Sequence, residues 1–181
     1  MTGLRRVVTG HSADGKAVFA SDEQVEPISV SGASTLHPIW SADDAPTFPD
    51  EGSLPPTTGY WPPVGGFRYL LMTIAPGDGP RRESTVDTID TDELNRLMPG
   101  LTDVMEPDEP GMHTSDTVDL EIVVSGEITL ELDDGVTKTM GPGDAIIQNG
   151  TRHRWRNDGR EPARVAVILI GANRRGSGGP A

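Results

Sequence analysis

The sequence predicts an all-β domain, its strands closed into a sandwich or barrel, with an N-terminal extension and one short helix in an insertion. Three observations carry that expectation. Twenty-two Gly and 16 Pro break the 181 residues into short segments, the punctuation of many strands joined by tight turns. In "EITLELDDG", Ile128, Leu130 and Leu132 alternate with Glu127, Thr129 and Glu131, the period of a half-buried strand. From residue 117 onward turn signals recur at near-regular intervals, as in a β-sandwich or barrel. A chain of this length suits one domain with a substantial core.

The elements follow in order. "RRVVTGH" and "KAVFASD" flank the Asp-Gly turn of "SADG", so residues 5–22 read as a hairpin. "TLHPIWS" reads as a third strand. Residues 42–66 are rich in Pro and Gly and need other parts of the chain to order them. "FRYLLMTIA" is a strong strand stopped by "PGDG". "TDELNRLM", 91–98, predicts the helix: Thr or Asp caps it, acidic residues fill its first turn, and Pro99-Gly100 ends it. Then "TVDLEIVVSG", "EITLELDDG", "VTKTMGPGD", "AIIQNG", "RHRWRND" and "ARVAVILIGA" run as strands. Residues 1–66 are thus expected as N-terminal strands and a linker packed on a barrel core of 67–172. An acidic insertion, 78–112, interrupts that core as a lid over the barrel mouth or as edge cover, and 173–181 are expected as a disordered tail.

Lys and Arg total 15 against 28 Asp and Glu, a net charge of −13. Phosphate backbones and anionic membrane surfaces would be repelled, so neither nucleic acid nor membrane is an expected partner. The chain has no cysteine, which removes disulfides and thiolate metal sites. "MTGLRRVVTG" lacks the apolar core of a signal peptide. The expectation is a cytoplasmic protein acting on a small molecule.

Two stretches carry a family resemblance. His113, Ser115, Asp119 and Gly126 stand at the spacing of a motif that reads His-x-His, three or four residues, Glu, six residues, Gly. Gly143, Asp144, "AIIQN", Gly150, His153 and Asn157 follow a second motif, one residue shorter than usual and without its Pro. In both respects the chain resembles the cupin superfamily of small jelly-roll β-barrels, the single-domain sugar-epimerase type among them, with a degenerate metal motif. The resemblance implies a cavity enzyme performing oxygenation, decarboxylation, isomerisation or dehydration. A ligand-binding or sensor protein without catalysis is the alternative.

The site residues follow from the same stretch. Strand parity puts His113, Ser115, Thr117, Asp119 and Glu121 on one face and Leu120, Ile122 and Val124 on the other. A polar row of this kind is costly in a packed core and suits a solvated cavity. The resemblance implies His113, Asp119 and His153 as catalytic residues. The same three would be ligands of one divalent metal (Fe, Mn, Ni or Zn), with Glu121 as a rival carboxylate. Two imidazoles and one carboxylate form the facial triad of non-haem iron sites. If no metal binds, the histidines are expected to act as acid or base beside Asp119, which would hold their tautomer and raise their pKa. Arg68 is a candidate clamp for a substrate carboxylate or else a surface ion pair. Ser115, Glu121 and Trp155 are the further substrate-binding candidates, with Ser115 leaving an opening for water or substrate. Tyr60 and Trp61 either cover the cavity mouth or pin the linker. The basic run Arg152, Arg154 and Arg156 reads as a solvated outer face, with the acidic insertion as a candidate partner. The apolar outward residues of 119–125 need cover, so a homodimer is expected.

Overall fold

The structure, a computed structural model, describes residues 3–31, 33–77 and 91–175. Strands β1 (Leu4–His11) and β2 (Ala17–Val25) pair as the expected hairpin, with a bulge between Val8 and Thr9. Next come β3 (Ile28–Ser31), β4 (Ser34–Ala42) and β5 (Phe67–Ile74), then helix α1 (Thr91–Leu97) and a 3₁₀ turn at Leu101–Val104. The C-terminal half supplies β6 (Thr117–Ser125), β7 (Ile128–Glu131), β8 (Thr137–Met140), β9 (Ala145–Asn149), β10 (Arg154–Arg156) and β11 (Ala163–Gly171).

Six strands form one antiparallel sheet in the order β3-β4-β5-β11-β6-β9. β10-β7-β8 form a second. Together they make an all-β jelly roll whose core includes Leu36, Leu70, Val123, Ile128, Val165, Val167 and Leu169. The alternation seen in the sequence decides which side chains enter it. On β6, Thr117, Asp119, Glu121 and Val123 are buried while Leu120, Ile122 and Val124 are exposed. Gly126 makes the tight exit from β6 possible. Its φ is +74°, and a Cβ there would lie 2.6 Å from the Pro162 carbonyl oxygen.

Two boundaries shift. The barrel does not begin at residue 67, because β4 pairs with β5 along most of its length and brings β3 into the main sheet. Pro38 is accommodated at a register shift in β4, where a missing N–H costs no ladder bond. At the other end Asn173, Arg174 and Arg175 are placed, and Arg174 reaches Asp116 and the carbonyls of Ser115 and Gly150. That salt bridge and those two hydrogen bonds tie down the start of the expected tail. Residues 176–181 and the acidic 78–90 lie outside the described residues.

The remainder of the insertion, 91–112, folds onto the barrel. Met98 and Leu101 are buried in the core, and the Trp61 indole Nε1–H donates to the Gly100 carbonyl at 3.0 Å. Among the described residues, no helix is long and apolar enough to cross a membrane.

Candidate active site

A cavity of about 310 Å³ opens between the sheets. His113, Asp119, Glu121, His153 and Trp155 line it, with Tyr60 and Trp61 from the linker and Leu94, Leu101 and Met105 from the insertion. The linker aromatics thus line the cavity and also pin the linker, since Tyr60 N–H donates to the Pro99 carbonyl. Leu94, Leu101 and Met105 put part of the insertion 78–112 in the cavity wall. Leu94 lies on the expected helix 91–98, whereas Leu101 and Met105 follow its Pro99-Gly100 stop, where no periodic pattern assigns a face.

His113 and His153 meet across a backbone bridge. Each N–H donates to the other residue's carbonyl at 2.9 Å. The rings stand 4.2 Å apart at 49°. His113 Nδ1 lies 3.0 Å from the Gly111 carbonyl and His153 Nδ1 lies 2.9 Å from that of Thr151. A carbonyl only accepts, so both Nδ1 atoms carry protons and both Nε2 atoms hold lone pairs in the neutral rings. This corrects the expected role of Asp119: backbone carbonyls hold the tautomers. The expected rise in histidine pKa is reversed too. Burial lowers His113, and burial followed by the His113 charge pushes His153 down to about 4.

The carboxyl groups shift the other way. Asp119 and Glu121 are each only 3% exposed. Burial raises Asp119 to about 6, opposed by the Thr117 hydroxyl. Burial and then the Asp119 charge raise Glu121 to about 8. Asp119 Oδ1 and Glu121 Oε2 are buried with no hydrogen-bond partner. The Tyr60 phenol is raised by burial and by these two carboxylates, so its proton is held.

Two other expectations change. Arg68 is no substrate clamp. Nε donates to the Gly59 and Tyr60 carbonyls, Nη1 to those of Ala42 and Phe67, and Nη2 to Gly59 and, at 2.6 Å, to Asp43. All the guanidinium nitrogens are spent fastening the linker to β5. Ser115 opens nothing onto the cavity. Its hydroxyl pairs with that of Thr117 at 2.7 Å, in a recess shared with Asn149 and Arg174. Trp155 does line the cavity, edge-on to His153 at 6.1 Å. The basic run is less solvated than expected: Arg154 and Arg156 clamp the buried Glu131, while Arg152 pairs with Glu106, Glu109 and Asp133. Asn157 of the second motif donates to the Ile74 and Glu161 carbonyls and is a structural pin.

The donor set does not fit a metal ion in this arrangement. Among the described residues no three His, Asp or Glu side chains converge as ligands would. Ser115 supplies no imidazole at the second motif position, and its oxygen is turned to Thr117.

A cupin-domain family model matches residues 102–169. Over 96% of this chain and 76% of the relative, the sequence is 32% identical to the cupin-domain-containing oxidoreductase fogC of Aspergillus ruber. The chain belongs to the cupins. This cupin also matches the oryzines biosynthesis cluster protein J of Aspergillus oryzae, 40% identical over 65 residues, 35% of this chain and 36% of that protein. It therefore spans about a third of that relative's length. Among solved structures, the cupin domain of Cnp3 from Schizosaccharomyces pombe superposes with a TM-score of 0.51, covering 92% of this chain and 87% of that one at 9% identity. At that identity the likeness concerns the fold.

Proposed function

We propose that this cupin is an enzyme that moves protons on a small organic molecule held in the jelly-roll cavity, in an isomerisation or a dehydration. One observation carries the reading. Two buried carboxyl groups with free oxygens share the cavity with two neutral imidazoles, and the carboxyl groups are poised on either side of neutrality. Pairs of titratable groups held apart in this way divide the roles of base and acid. Asp119, largely ionised near neutral pH, is the base. Glu121, still protonated, is the acid. Asp119 takes a proton from a substrate carbon. Glu121 then gives one to another atom of the substrate, or to a departing hydroxyl that leaves as water. Exchange with solvent resets the pair. His153, held near 4, is too weakly basic for the main step; it and His113 accept hydrogen bonds at Nε2 and orient the substrate.

The test is deuterium wash-in from D₂O into a panel of enolisable hydroxy ketones, followed by NMR. The wild type should incorporate deuterium into at least one, and Asp119→Asn should abolish it. Equal incorporation by both proteins would overturn the assignment. The name of the Aspergillus ruber relative, a cupin-domain-containing oxidoreductase, favours a second reading, an oxidoreductase, for which a metal would be the natural redox partner. His113, His153 and Asp119 would then have to close together around one ion.

We also propose a homodimer. Ile122 is 53% and Ile147 57% exposed, and with Leu120 and Val124 they form an apolar outer face that the β1–β2 hairpin does not cover.

A further inference from the structure

Taking this cavity to be the substrate site, as above, we infer that it selects uncharged, ring-sized molecules carrying at least two hydroxyl donors, and that it excludes carboxylates and phosphates.

Hydrogen-bond roles around the cavity carry the argument. Asp119 Oδ1 and Glu121 Oε2 are unpartnered, as is the buried Thr35 Oγ1 on the same wall. The two imidazoles add Nε2 lone pairs, because both Nδ1–H groups are committed to the Gly111 and Thr151 carbonyls. The Asp119 oxygen and the two Nε2 atoms only accept, while the Glu121 carboxyl and the Thr35 hydroxyl can also donate, so acceptors outnumber donors in the lining, and a buried acceptor left unpaired is costly. A ligand that donates satisfies them. One that only accepts leaves them dry and unpaired.

Charge sharpens the choice. Among the described residues no Lys or Arg lines this cavity. Of the arginines on the strands around it, Arg68 is fully occupied by the linker, Arg154 and Arg156 are paired with Glu131, and Arg164 is exposed on β11. An anion would therefore enter beside the Asp119 carboxylate with no counter-charge, in a low-dielectric setting where repulsion is strong.

Size and spacing complete the description. About 310 Å³ corresponds to roughly ten waters at about 30 Å³ each, the room for one ring with substituents. Asp119 and Glu121 stand two residues apart on the inner face of β6, about 6.6 Å along the strand. Two hydroxyls set 1,3 on a ring reach both. Trp61 and Trp155 supply flat apolar walls for the ring.

Four one-ring probes test this by ligand-observed NMR on the full chain: resorcinol, 1,3-dimethoxybenzene, 3-hydroxybenzoate and benzylamine. Resorcinol should bind, with the dimethoxy compound and 3-hydroxybenzoate each at least tenfold weaker. In Asp119→Asn/Glu121→Gln, resorcinol should weaken while 3-hydroxybenzoate gains. A thermal melt confirms that this variant folds, and the wild-type ranking stands independently of it. Tightest binding of 3-hydroxybenzoate or of benzylamine would overturn the inference, as would equal binding of the dimethoxy compound or no binding at all. Binding in the expected order without deuterium wash-in on any substrate would sink the catalytic reading and leave this one standing. Wash-in confined to a carboxylated substrate would do the reverse.

Discussion

Replacing Glu121 by Gln should make the stability of the protein less sensitive to alkali, by an amount the structure allows to be worked out. The Glu121 carboxyl is held at about 8 against an ordinary 4.5. Between those values the folded state binds a proton that the unfolded chain has already released. Stability therefore falls as pH rises across that window and reaches its floor above the folded value. Each tenfold difference in proton affinity is about 1.4 kcal/mol, so this carboxyl alone removes about 4 kcal/mol between pH 5 and pH 8.5. Asp119, also raised, titrates in both proteins and largely drops out of the comparison. The amide cannot ionise, so its own burial cost is the same at both pH values. For a chain of this length a kcal/mol moves the melting temperature by about 2–4 °C. Relative to wild type, Glu121→Gln should gain about 8–16 °C in melting temperature at pH 8.5 over its difference at pH 5. Scanning calorimetry of both proteins at the two pH values checks it. An identical difference at both would mean that Glu121 ionises as an ordinary surface glutamate does, and the acid role assigned to it would fail.

Three further outcomes follow from the same geometry. The pH–rate profile of whichever substrate is turned over should be a bell, rising as Asp119 ionises near 6 and falling as Glu121 loses its proton near 8; a single limb would contradict the division of roles. Arg68→Met should cost about 3–5 kcal/mol in denaturant unfolding, because Asp43 and the carbonyls of Ala42 and Gly59 lose their buried cation; a cost under about 1 kcal/mol would place the guanidinium in solvent. Light scattering should give a dimer mass for wild type and a monomer mass for Ile122→Glu, whose charge would sit on the exposed apolar face; a monomeric wild type would remove the dimer.

Side-chain parity was legible in the sequence, and with it half of the site. "TVDLEIVV" reads as a strand with Asp119 and Glu121 on one face, and that face is the inner one. The spacing to Gly126 and from Gly143 to His153 brought both histidines to one cavity. What stayed hidden depends on segments distant in sequence. Arg68 alternates correctly for an inward side chain, yet the linker 42–61 folds back to take every nitrogen it offers. No local pattern announces such a return. The histidine tautomers depend on carbonyls two residues upstream and on the isolated backbone bridge between His113 and His153. Ser115 keeps the motif spacing, but a neighbouring hydroxyl takes its oxygen. The downward histidine shift follows from burial, which a motif does not encode.

Proton transfer by Asp119 and Glu121 without a bound metal stands at the centre of the proposed chemistry. Its most direct test is turnover after exhaustive chelation, with the metal content of the same sample measured. The deuterium wash-in rate of the chelated protein should equal that of the untreated protein, and Fe, Mn, Ni or Zn added back one at a time should leave it unchanged. A rate that disappears with the metal and returns with one of these ions would contradict the claim and return His113, His153 and Asp119 to the role of ligands.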